Sequence, residues 1–92
     1  MIEVSVESGI AAAFEDLDAI VAAGGLSNGN GNSLGAKLQA AVIQLAAGNT
    51  NAAAGQLGAF LNQLDSLEGD GKISAADAAA LRAWIEPILA AL

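Results

Sequence analysis

The stretch from Leu34 to Leu67, LGAKLQAAVIQLAAGNTNAAAGQLGAFLNQLDSL, limits the folds open to this chain more than any other feature. Apolar residues fall at Leu34, Leu38, Ala41, Val42 and Leu45, then at Leu57, Phe60, Leu61, Leu64 and Leu67. Both sets follow the three-and-four spacing that puts a stripe on one face of a helix. Between them, Gly48 stands where a left-handed C-terminal cap is needed, and Asn49 or Thr50 can cap the next helix. So short a connection makes the two helices antiparallel neighbours.

The flanking segments extend the pattern. Ser8 can cap a first helix with Ile10, Phe14, Leu17, Ile20 and Val21 on its apolar face, ended by Gly24-Gly25. Ser74-Ala75-Ala76-Asp77 reads as a capping box, with Ile73 placed to pack back on the helix it opens. That helix carries Ala78, Leu81, Ile85, Ile88, Leu89 and Leu92, and Pro87 is expected to kink or restart it. The segment LSNGNGNS, Leu26 to Ser33, has the chemistry of a turn, so local propensity predicts loop until Asn32 or Ser33 caps the second helix. Gly55 and Gly58 lie inside the third helix and cost about 1 kcal/mol each against alanine. Close approach of a neighbouring helix is the expected return, and a hinge is the alternative. A faint internal echo links Phe14…Leu17-Asp18…Leu26-Ser27 with Phe60…Leu64-Asp65…Ile73-Ser74. Each is a helix, a glycine-containing turn, an apolar residue and a serine cap, as two related helical hairpins would give. Ile2, Val4 and Val6 alternate with Glu3, Ser5 and Glu7, a strand pattern with no partner strand in the chain. The reading is an all-α, four-helix up-and-down bundle over residues 9–92. Residues 1–8 form a short extended tail, either the end of an upstream β domain or a segment lying against the bundle.

Ninety-two residues make one domain, and much of its 54% hydrophobic content is alanine, so the core is thin. With no cysteine and no histidine, disulfides, thiol chemistry and a histidine base are excluded. The net charge of −7 argues against nucleic acid and anionic membranes, and Lys37, Lys72 and Arg82 are scattered. The uncharged run from Leu38 to Leu64 contains Gln39, Gln44, Asn49, Asn51 and Gln63, which argues against a membrane span. Met1-Ile2-Glu3 lacks the basic start and apolar core of a signal peptide. Glu15, Asp16 and Asp18 occupy a solvated helix face, and no nucleophile–base pair is present, so the chain is read as no enzyme.

One loop suggests a cofactor. Ser66 to Asp77 is similar to a dockerin or EF-hand calcium loop, with Asp70, Gly71, Ile73, Ser74 and Asp77 matching. Ser66 replaces the first carboxylate and Glu68 is longer than the usual third ligand. Glu68, Asp70 and Asp77 are the calcium candidates, against a plainer reading as turn and helix cap. No cofactor is otherwise indicated. Trp84 lies one place off the stripe of the last helix, where the plainer reading is a core residue at the rim; alternatively, with Pro87, Ile88 and Leu92 it makes a candidate contact face for a partner protein or an upstream domain.

Lys37-Leu38…Ala40-Ala41…Leu45…Gly48-Asn49…Gln56-Leu57…Phe60-Leu61…Leu64…Ile73-Ser74…Leu81 resembles the FIMAH domain over about residues 10 to 91, most specifically from Gly48 to Leu64. FIMAH domains are small helical modules of bacterial secreted multidomain proteins. The resemblance implies a non-catalytic accessory module, extracellular or on the cell surface, with no catalytic residues to carry over. It also implies a second helix that starts nearer Asn28 than Ser33. The alternative function is a calcium-dependent docking module.

Overall fold

The computed structural model describes the backbone of residues 2–92 and the side chains from residue 9 onward. Four helices follow one another: α1, Ile2–Ala22; α2, Asn28–Ala46; α3, Thr50–Gly69; and α4, Ala75–Ala91. Each packs on two others. α1 lies against α2 and α4, α3 lies against α2 and α4, and the largest contact is between α2 and α3. Across the diagonals, α1 and α3 and likewise α2 and α4 make no close backbone approach among the described residues. Successive neighbours joined by short turns make an up-and-down bundle, measuring 35 × 20 × 19 Å.

The first three helices end in the same way. After α2, Gly48 takes φ +81°, its N–H donates to the Leu45 carbonyl, and the Asn49 N–H donates to the Gln44 carbonyl. This is a Schellman end, and it needs a residue that enters the left-handed region without a Cβ penalty. Gly24 after α1 and Gly71 after α3 repeat it bond for bond.

Helices α2 and α4 also start alike. Ser27 has φ −68° and ψ 155°, and its hydroxyl accepts from the Asn30 N–H at 3.2 Å. Ser74 has φ −70° and ψ 154°, and its hydroxyl accepts from the Asp77 N–H at 3.1 Å. Each cap follows a buried apolar residue, Leu26 or Ile73. The two caps stand 47 positions apart (74 − 27). The same shift carries the buried residues Ile10, Leu17, Ile20, Leu26, Leu34 and Leu38 onto Leu57, Leu64, Leu67, Ile73, Leu81 and Ile85, which are buried too. The molecule is therefore two pseudo-repeated hairpins, α1–α2 and α3–α4. The echo visible in the sequence was one residue out of register at its start: Phe60 corresponds to Ala13, and both are fully buried.

Four expectations need correction. The segment expected to be an extended tail or strand is the first part of α1, which begins at Ile2. A lone strand has no partner for its backbone groups, whereas a helix satisfies them within the segment. α2 starts at Asn28, so the Asn-Gly run predicted as loop is its first turn and a half. The buried Leu26 and the Ser27 cap outweigh poor local propensity there. Close helix approach occurs at Gly31, where a Cβ would meet Cγ2 of Val21 at 2.5 Å; around Gly55 and Gly58 the space is open. Pro87 sits inside a continuous α4. It lies on the exposed side, where water reaches the carbonyl it leaves unpaired.

Candidate functional site

Among the described residues every buried side chain is apolar. The core runs through all four helices and holds Phe60, Leu38, Leu57, Leu64, Leu81 and Ile85 out of water. Polar chemistry is confined to the rim.

Two polar clusters tie helices together at that rim. Between α2 and α3, the Ser33 hydroxyl accepts from Gln63 Nε2 at 3.0 Å, and Lys37 Nζ donates to Gln63 Oε1. Between α3 and α4, the Arg82 guanidinium donates to Asp65 Oδ1 and to Glu68 Oε1. Its hydrogen bonds to Glu68 and then to Asp65 raise the pKa of a group that is already charged at any working pH. The Arg82 side chain is 25% exposed, so its stem lies along the bundle while its head spans two carboxylates.

The calcium candidates are placed differently from a calcium loop. Ser66 to Gly69 form the last turn of α3, Asp70 is its C-cap, and α4 begins at Ala75. Glu68 is engaged by Arg82. Asp77 lies in the first turn of α4, with Oδ2 2.9 Å from where a Cβ on Gly25 would stand. Among the described residues no three carboxylates come close enough to share a metal ion.

Of the candidate contact face, Trp84 is 44% exposed, Leu92 is 37% exposed and Pro87 is exposed, while Ile88 belongs to the core. The spacing explains the split: residues 81, 85 and 88 follow the buried stripe, and residues 84 and 87 lie beside it. Ile43, near the end of α2, is more exposed than either Trp84 or Leu92 and lies on a different helix.

A feature that sequence reasoning missed lies between α1 and α2. A cleft of about 390 Å³ is walled by Phe14, Leu17 and Val21 on α1 and by Gly31 and Gly35 on α2, with Asp18, Asn32 and Gln39 at its edges. That volume is near the low end of the roughly 300–1,000 Å³ usual for ligand clefts. Two glycines and a phenylalanine at facing helical positions were the available signal, but only the packing register shows that they meet.

Among known families, residues 10–90 match the model of the FIMAH domain. No curated protein and no solved structure matches the chain. No helix among the described residues is long and apolar enough to cross a membrane.

Proposed function

The chain belongs to the FIMAH domain family, an accessory domain of larger proteins, and we propose that it acts there as a non-catalytic contact module in a secreted or surface-bound bacterial protein. The observation that carries this reading is the contrast between interior and rim. The interior offers no buried titratable group to be activated, among the described residues, and activation of an acid or base usually relies on such burial. The rim instead presents a large aromatic side chain, Trp84, beside exposed Pro87 and Leu92. Tryptophan is one of the side chains enriched among interface anchors, together with tyrosine and arginine. An acidic surface keeps such a module soluble and away from nucleic acid. Ile88 contributes from beneath, by holding α4 to the core, and is not itself part of the contact.

The test uses Trp84→Ala. In the isolated chain the loss of stability, read from urea titration, is expected to stay below about 2 kcal/mol for a half-exposed side chain. In the parent protein, carbene footprinting is expected to find Trp84 protected relative to the isolated chain. Equal labelling in the two contexts, or unfolding of the isolated Trp84→Ala chain, would remove this face from the proposal.

A further inference from the structure

The pseudo-repeat allows the cleft between α1 and α2 to be compared with the matching place between α3 and α4. The shift that maps Ser27 onto Ser74 takes Gly35 to Arg82, Asp18 to Asp65 and Val21 to Glu68. In the second hairpin this place is occupied by the Arg82 side chain, held by Asp65 and Glu68. In the first hairpin one of the two carboxylates is kept, at Asp18, the other is replaced by Val21, the arginine position is Gly35, and a cleft is left. Asp18 has no cationic partner among the described residues, where every ion pair belongs to Arg82.

We propose that the α1–α2 cleft is a socket for an arginine side chain presented by a segment of a partner protein, docking against Asp18 as Arg82 docks against Asp65. Three observations support arginine over other occupants. The internal counterpart is itself a guanidinium, its side chain largely shielded from water and its head on the carboxylates of Asp65 and Glu68. Phe14 lines the cleft half-buried, and an aromatic ring is a surface on which a planar guanidinium can stack. Asn32 and Gln39 at the edge can accept from donors that Asp18 leaves free, and a guanidinium has five. The net charge of −7 attracts a basic segment over a longer range. This socket is separate from the Trp84 face, and it stands or falls independently of it.

The experiment is a nuclear magnetic resonance titration of the 92-residue chain with acetyl-arginine-amide. Acetyl-citrulline-amide, neutral and of the same shape, is the control, and the pentapeptide Ala-Leu-Arg-Leu-Ala is the second probe. Saturable amide shifts are expected across residues 14–22 and 31–39 with the arginine probe, and none with citrulline. Asp18→Asn is expected to weaken binding about tenfold, the order of a lost charge-assisted hydrogen bond. Gly35→Arg is expected to abolish it by supplying the missing side chain from within. A Cβ at residue 35 meets only ordinary contacts, 3.5 Å to Phe14 Cε1 and 3.8 Å to Leu17 Cδ2. Circular dichroism checks that this variant folds, and Asp18→Asn carries the test alone if it does not. The pentapeptide is expected to bind about fivefold or more tightly than the capped amino acid, through the added apolar contact. Shifts spread evenly over the acidic surface, or affinity unchanged in Asp18→Asn, would overturn the socket. Equal affinity for the two probes would overturn the partner-protein assignment in favour of a free guanidinium compound.

Discussion

A methyl group at residue 31 would sit 2.5 Å from Cγ2 of Val21, nearer than two carbons can stand. Gly31 is buried inside α2, so its missing side chain is what lets α1 and α2 meet. Gly31→Ala is expected to cost about 1–3 kcal/mol through overpacking, and Val21→Ala in the same chain is expected to recover part of the loss. Gly55→Ala is the opposite case. It faces open space within α3, so the gain in helix propensity is uncompensated and stability is expected to rise by about 1 kcal/mol. Urea denaturation of both variants checks the pair, and two shifts of the same sign would refute the close-approach account. Phe60 is fully buried, and Phe60→Ala is expected to cost about 3–5 kcal/mol. A loss under about 1 kcal/mol would mean that the ring is not in the core.

At the scale of elements, the notable point is repetition. Ser27 and Ser74 have the same backbone conformation and accept the same bond from the residue three places on. Their removal is therefore expected to cost the same, about 1 kcal/mol each in Ser27→Ala and Ser74→Ala. Thermal or urea unfolding reads this directly. If Ser27→Ala cost nothing while Ser74→Ala cost the full amount, α2 would have to begin later, near Ser33, as its local composition predicts. The Schellman ends explain why the turns can be short. Each glycine reverses the chain in one residue and satisfies the last carbonyls while doing so, leaving the next helix to start within a few positions.

For the whole molecule, the ring of four contacts and the continuous core make every helix depend on two others. A single cooperative melt with a mostly helical circular dichroism spectrum is the expected behaviour. Calcium is expected to leave the melting temperature unchanged at micromolar concentration. Glu68, Asp70 and Asp77 are not gathered into one site, and a hard cation needs six to eight oxygens. Calorimetry with calcium and with a chelator reads the difference. A rise of several degrees that vanished in Asp70→Ala would restore the calcium-dependent docking alternative.

The four helices, their stripes and the cap at Ser74 could be read from the sequence, because spacing and capping are local and act within one or two turns of chain. The stripe of α3, from Leu57 through Phe60 to Leu67, needed nothing from elsewhere in the molecule to be recognised. The start of α2 at Asn28 was decided by tertiary structure, since Leu26 had to find a core before Ser27 could serve as its cap. Residues 2–8 are a related case: alternation suggested a strand, but among the described residues there is no partner strand to pair with it, and the segment is helical. Which glycine marks a close approach was also beyond local reading, because it depends on which face meets a neighbour: Gly31 meets Val21, and Gly55 meets nothing. The cleft at Asp18 is the clearest case. Its walls come from two helices, and its shape is set by the absence of a side chain at Gly35, whose counterpart Arg82 fills the equivalent place only because the two hairpins pack in the same register.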